Sequence, residues 1–389
     1  MGNAFFIENF LFFAQSFIEE FTVFVCLYLC LFIYKEKSTM AFLKSLVSAL
    51  AMTSALLPAS AGLISKRDVV KPKVMVVSMF APEANAWLNP WNDLYANNIT
   101  VPGLNTLFPE VHCNSEETVC QVTTGEGKSN AASTMTALTL SSKFDLSETY
   151  FLISGIAGIN PYAASLASVT VAKYAVDVDL VQTIDLRELP KQYESASWEI
   201  GTDPYNDGSS NNEVVYPKSF PYQTNVYQLN STLVEAALQV VKDVVLEDNE
   251  KTADYRKHYQ QAAAQRAPFI VQCDTATSDN YWAGNYMGDF ASNITNVLTN
   301  YTGHYCSSQQ EDNASLTAIK RAASQGLVNF NRIILMRSGS DFDRGSDSVS
   351  SLDNLIKDDG HVLPLAAANL YHAGKPLVDH IVNNWSYWN

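Results

Sequence analysis

What most constrains this chain is a series of apolar runs too short for helices, separated by segments with helical spacing. Val74–Val77 follows the polar Lys71-Pro72-Lys73, and Phe151–Ser154 ends at Gly155. Ser168–Ala175, Val178–Ile184, Phe269–Gln272 and Arg332–Met336 repeat the pattern. Such runs, without polar alternation, read as strands buried on both faces. Between them, Asn130–Leu140, Ser231–Leu246 and Ala314–Gln325 carry apolar residues at helical spacing, with Ser231 or Thr232 as a cap for the second. Leu363–Trp385 predicts a C-terminal helix weakened by Gly374 and Pro376. Strands alternating with helices argue for one α/β domain. Residues 201–213 form a long polar loop, and no internal repeat is visible.

The domain is expected to start well inside the chain. Residues 1–34 are rich in Phe, Leu, Val and Ile, but the cleanest apolar run, Phe21–Tyr34, has only 14 residues, short for a spanning helix. A second start lies at Met40. A short basic region ending at Lys44, an apolar Ser45–Leu57 and the Ala59-Ser60-Ala61 cleavage site follow in the order of a secretory signal peptide. Residues 1–39 are therefore an apolar leader or a mis-assigned start, and 40–61 a signal peptide. Residues 62–72, with the dibasic Lys66-Arg67, form a propeptide or linker, and 73–389 the domain. Six N-x-S/T sequons, at Asn98, Asn230, Asn293, Asn300, Asn313 and Asn384, agree weakly with export. Cys26 and Cys30 lie in the leader. Cys113, Cys120, Cys273 and Cys306 allow three pairings. The close spacing of the first two suits a hairpin staple, so Cys113–Cys120 and Cys273–Cys306 are expected.

Charge and motifs narrow the chemistry. With 25 Lys and Arg against 40 Asp and Glu, the net charge of −15 excludes a polyanion-binding surface, so no nucleic-acid partner is expected. Gly127-Lys128-Ser129 imitates the end of a phosphate-binding loop, but Val122 stands where its first glycine belongs. Asp203–Gly208 fails as a calcium loop, since Tyr205 and Val214 fill ligand positions. No G-x-S-x-G elbow is present, the cysteines lack zinc spacing and no H-x-x-x-H pair occurs. No metal and no cofactor are expected.

Six segments remain: Val74–Trp87 with Glu83, Thr123–Ala132 (TTGEGKSNAA), Ser154–Pro161 (SGIAGINP), Ser278–Tyr281, Glu311–Asn313 and Met336–Asp343 (MRSGSDFD). In this order and spacing they resemble the purine nucleoside phosphorylase and methylthioadenosine nucleosidase superfamily. Over residues 72–389 the chain most closely resembles the fungal purine nucleoside permease family. The resemblance implies a three-layer α/β/α domain around a mixed central sheet, with a purine nucleoside as ligand. It implies that Asp341 is the acid that protonates the departing purine, with Asp343 its nearest rival and facing away. It makes Glu311 the acceptor for the ribose hydroxyls, Tyr281 with Trp282 the purine wall, and Glu83, held by the loop Met79–Pro82, the base that activates water. Ser340 and Gly158 complete the substrate-binding set. The Arg and Ser that flank the second glycine turn in phosphorylases correspond here to Ile153 and Ile156. A phosphate dianion would be desolvated there with little compensation, which argues against ordinary phosphorolysis.

Two functions follow from the resemblance. One is extracytoplasmic N-glycosidic cleavage of purine nucleosides, linked to their uptake. The other is a non-catalytic nucleoside-binding component of a transport system. Direct permeation would need several spanning segments, which the sequence lacks. Homo-oligomerisation, and membrane association through the leader, stay open.

Overall fold

The computed structural model describes residues 69–189, 191, 197–199, 222–356 and 360–389. The expected leader, the signal peptide, Lys66-Arg67 and the loop 201–213 lie outside the described residues. The compact unit that carries the site spans Arg67–Asn389.

Strands β1 (Val74–Ser78), β2 (Asn97–Thr100), β3 (Glu110–Cys113), β4 (Val119–Thr123) and β5 (Tyr150–Ile159) open the unit. They are followed by β6 (Val169–Val171), β7 (Tyr174–Asp177), β8 (Val181–Thr183), β9 (Ser197–Glu199) and β10 (Val226–Gln228). The series ends with β11 (Ile270–Gln272), β12 (Asp274–Thr277), β13 (Tyr305–Gln309) and β14 (Ile333–Phe342). The helices are α1 (Ala81–Leu88), α2 (Lys128–Thr139), α3 (Ser231–Val241), α4 (Glu250–Arg256), α5 (Asn285–Leu298), α6 (Asp312–Ala323), α7 (Ser351–Ile356), α8 (Leu363–Asn383) and α9 (Trp385–Trp388).

Twelve strands form one mixed sheet, with the path β10-β7-β12-β13-β5-β1-β4-β3-β2, and β14, β6 and β11 branching from β5. Its centre is parallel: β1 pairs with β4 and β5, and β5 with β14. Side chains alternate across it. Met75, Val77, Phe151, Ile153, Ile333 and Leu335 point into one buried cluster with Met135 and Leu138 of α2 and Leu316 and Ile319 of α6. Val74, Val76, Leu152, Ile334 and Met336 point the other way, onto α1, α3 and α8 through Trp87, Leu233 and Leu370. This is the expected three-layer α/β arrangement, and double-sided burial explains why the strands read as unbroken apolar runs.

Several boundaries differ from the sequence reading. Ser168–Ala175 is two strands, because the chain turns at Ala172-Lys173, where Asp274 accepts the N–H groups of Lys173 and Tyr174 at 2.9 and 2.8 Å. Val178–Ile184 yields only β8, paired with β9 in a separate ribbon. Helix α8 runs unbroken through Gly374 and Pro376. A side chain at 374 would meet the Trp87 ring at 2.6 Å, so this glycine lets the indole pack against the helix. The burial of Leu370, Ala373, Leu377, Val378 and Ile381 outweighs the weak local propensity.

Both expected disulfides are present. Cys113–Cys120 staples β3 to β4, where the two residues are register partners. Cys273–Cys306 ties the β11–β12 junction to β13 across a separation of 33 residues. By loop-closure entropy the second bridge contributes about 3–4 kcal/mol and the first about 2 kcal/mol. Replacing Cys273 and Cys306 by Ala is expected to lower unfolding free energy in urea more than replacing Cys113 and Cys120. Equal losses would show that loop length does not set their contributions.

Candidate functional site

The long strand β5 changes partners along its length, and the site lies where it does. Its first half lies against β1 from Val74 to Val77. Beyond that, Gly158 and Ile159 pair antiparallel with Ser308 and Ser307 of β13. The opposite edge pairs with β14 throughout. The strand ends therefore diverge and leave a crevice, the usual ligand position in open α/β sheets. A cavity of about 330 Å³ opens there, lined by Met79, Phe80, Glu83, Ile156, Gly158, Tyr281, Ser308, Glu311, Arg337, Ser340 and Asp341, among others. That volume is at the small end of the range for small-molecule pockets.

One end of the cavity is built on a buried guanidinium. Arg337 is 1% exposed. Its Nη2 donates to Asp312 at 2.6 Å and to Glu311 at 3.2 Å, and its Nη1 donates to the Ile156 carbonyl at 2.8 Å. Gln309 Oε1 accepts the N–H groups of Glu311 and Asp312, both at 2.8 Å, and so fixes the start of α6. Glu311 also accepts the Gly127 N–H at 2.9 Å. Glu83, in the first turn of α1, accepts N–H groups from Met79 at 2.6 Å and Ile156 at 2.7 Å. Gly155 makes this approach possible: a Cβ there would lie 2.6 Å from Arg337 and 2.9 Å from Glu83.

Three buried acids thus face one buried cation. Burial raises the carboxyl pKa of Glu311 and of Asp312, while Arg337 opposes the shift in each. Burial also raises Glu83, to about 8, with Arg337 opposing and the Glu311 charge adding to the rise. Burying three carboxylates beside one guanidinium in fully ionised form would leave uncompensated charge. With its pKa raised to about 8, Glu83 holds its proton at neutral pH.

The other end is built on a bulge. The β14–β5 register shifts between Gly339 and Asp341, so Ser340 is an extra residue. The bulge lets both Ser340 and Asp341 line the cavity, which strict alternation along a strand forbids. The Ser340 hydroxyl donates to Asp341 Oδ1 at 2.8 Å, and the Tyr281 hydroxyl donates to Oδ2 at 3.3 Å. Gly158 lies beneath, where a Cβ would meet Ser308 Oγ at 2.7 Å. Asp343 points elsewhere: it is buried, bonded to Arg344 at 2.8 Å and to the Tyr305 hydroxyl at 2.8 Å.

Glu83, Glu311, Tyr281, Ser340, Gly158 and Asp341 are thus brought to one cavity. Trp282 is not: it is buried in a core cluster with Tyr174, Val176 and Ile294, because the chain turns Tyr281 outward and its neighbour inward. Glu83 lies in the first turn of α1, where the Met79 N–H holds it as expected, and at 1% exposure it is part of the cavity wall. Ile153 is in the hydrophobic core, while Ile156 lines the cavity. Sequence reasoning missed Arg337 as a site residue. Its signal was an arginine continuing the apolar run Arg332–Met336, a position that demands buried acidic partners.

Fold and site together describe a three-layer α/β protein with an acid-lined cavity at the crevice of its sheet. Residues 71–389 match the family model described as Purine nucleoside permease (NUP), and the chain belongs to that family. A probable purine nucleoside permease of Schizosaccharomyces pombe is 68% identical over 349 residues, covering 90% of this chain and 100% of that one. A purine nucleoside permease of Candida albicans is 40% identical over 318 residues, covering 82% and 76%. Among solved structures, a 5′-methylthioadenosine/S-adenosylhomocysteine nucleosidase from Neisseria meningitidis aligns at 15% identity and TM-score 0.45, covering 80% of this chain and 99% of that one. Futalosine hydrolase of Helicobacter pylori aligns at 14% identity and TM-score 0.48, covering 79% and 98%. No helix among the described residues is long and apolar enough to cross a membrane.

The protonation of Glu83 has a measurable sign. Its folded pKa, about 8, lies above the ordinary carboxyl value of 4.5, so between these values the folded chain binds the extra proton. Stability from this group is lost as pH rises through that window. Glu83→Gln removes the loss. Urea denaturation at pH 5 and pH 8 should show the variant gaining stability relative to the parent at the higher pH; a constant difference would mean that Glu83 titrates normally.

Proposed function

We propose that the cavity binds a purine nucleoside and that the chain cleaves its N-glycosidic bond with water. The observation that carries this reading is the separation of two polar groups, each with one carboxyl, along β5. Asp341 and Ser340 lie beside Gly158, while Glu83 and Arg337 flank Gly155. Three residues of strand span about 10 Å, room for a base at one end and its sugar at the other.

Tyr281 is the wall for the base, and Asp341 hydrogen-bonds its edge. Binding replaces the Tyr281–Asp341 contact with one to the purine. Glu311 accepts the sugar hydroxyls, oriented by Arg337 and the Gly127 N–H. Its negative charge favours the cationic sugar that develops as the bond breaks. Water adds its oxygen to the anomeric carbon and gives a proton to the ionised form of Glu83. The bond to the purine breaks, and Asp341 delivers a proton to the leaving base. Free base and free sugar result.

Water suits this cavity better than phosphate. The guanidinium of Arg337 is already bonded to Asp312, Glu311 and the Ile156 carbonyl. The other titratable side chains of the lining, Glu83, Glu311 and Asp341 among them, are acids, so the lining offers an incoming dianion no second cation.

The compartment is proposed to be extracytoplasmic, on the support of two disulfides. The Asn313 sequon would stay unused, because that side chain is buried and donates to the Thr224 carbonyl at 2.7 Å.

Adenosine, inosine and guanosine incubated with the protein, with and without phosphate, test this reading. Free ribose is expected without phosphate. Asp341→Asn should slow release about 100-fold or more, the usual loss when a general acid is removed. Ribose 1-phosphate formed only with phosphate would contradict the hydrolytic reading. Saturable nucleoside binding without product would establish instead the non-catalytic component of a transport system.

The pH profile is a separate check. Glu83 must be ionised to accept a proton, so activity should rise through neutral pH toward about 8. Glu83→Gln should remove that rising limb along with the activity; a limb that survives in residual turnover would assign it to another group.

A further inference from the structure

The segment that imitates a phosphate loop is folded for another purpose. Lys128 is largely buried, and it is not part of the cavity lining. Its ammonium lies 2.8 Å from Asp177 and also bonds Asp179, so two carboxylates take up its charge. Burial lowers its pKa and the two aspartates raise it, with a net rise, so the side chain stays charged. The Lys128 N–H donates to the Asp279 carboxylate at 2.7 Å. The Asp279 N–H donates to Asp179 at 2.7 Å, and its carbonyl accepts from the Gln310 side chain at 2.8 Å.

Each strand of this network ends at the cavity. One residue before Lys128, Gly127 holds Glu311. Two residues after Asp279, Tyr281 reaches Asp341. We propose that Lys128 is a positioning residue for both ends of the cavity. Through Asp177, Asp179 and Asp279 it locks the loop carrying Gly127 to the loop carrying Tyr281, and so sets the separation between Glu311 and the base wall. This rests on the reading of the cavity as a nucleoside site. The same geometry explains why the lysine does not serve a phosphate: carboxylates surround its ammonium.

The test compares Lys128→Met, Lys128→Arg and Asp179→Asn with the parent chain. Amide hydrogen exchange is followed over residues 124–130 and 278–284, with 231–241 as an internal control, and inosine affinity is measured by calorimetry with an inosine analogue whose glycosidic bond cannot be hydrolysed. Loss of a hydrogen bond to a charged partner corresponds to about a tenfold change. Lys128→Met should therefore speed exchange about tenfold in both loops, leave the control unchanged and weaken inosine binding about tenfold. Asp179→Asn should act in the same direction, and Lys128→Arg should recover most of the affinity. Faster exchange in 124–130 alone overturns the coupling, whatever the protein binds. Unchanged inosine affinity in Lys128→Met overturns the positioning role. A parent chain that binds no inosine overturns the nucleoside reading, and the exchange data alone then decide the clamp.

Discussion

The site depends on one buried guanidinium. Arg337 is the cation against which Glu311, Asp312 and Glu83 are arranged, and each of these acids would be costly to bury without it. Burial lowers the guanidinium's own pKa, but the acids around it raise it further, so it remains charged. Arg337 also spans elements: it extends from β14, touches the β5 carbonyl of Ile156 and holds the first residues of α6. Three buried carboxyl groups share one positive charge, and burial raises the pKa of each, that of Glu83 to about 8.

The sheet makes this arrangement possible. Because β5 exchanges β1 for β13 at its midpoint, the ends of β1, β13 and β14 converge on one crevice. Gly155 and Gly158 keep that stretch of β5 bare, so that Arg337 and Glu83 approach at one position and Ser308 and Asp341 at the other. The bulge at Ser340 then turns two successive side chains toward the ligand. A regular sheet of the same strands would have buried half of these groups against helices.

The architecture was legible in the sequence where buried strands are unbroken apolar runs; β4 (VCQVT) and β12 (DTAT) are buried throughout but mix in polar residues, and were not. Val74–Val77, Phe151–Ser154 and Arg332–Met336 are continuous apolar runs because helices cover both faces of the sheet; the first two lie within central strands and the third opens one at Ile333, with Arg332 in the turn before it. The edge strand β2 and its neighbour β3 were not legible, since Asn97–Thr100 and Glu110–Cys113 are partly exposed and mix polar with apolar residues. At the site, Glu83, Glu311 and Asp341 were singled out through the resemblance of the short segments that carry them to a known family, not by composition or spacing. Arg337 and Lys128 were not, because their roles come from partners far away in sequence: Asp312 is 25 residues from Arg337, and Asp177 is 49 from Lys128. Adjacent aromatics were misleading for a related reason. Only the turn of the chain after β12 decides that Tyr281 faces the cavity and Trp282 the core.

The most direct measurement is a crystal structure with a purine nucleoside analogue whose glycosidic bond cannot be hydrolysed. The account predicts the base edge on Asp341 against Tyr281, the sugar hydroxyls on Glu311, and the anomeric carbon facing Glu83. An analogue bound in the reverse orientation, or outside this cavity, would contradict it.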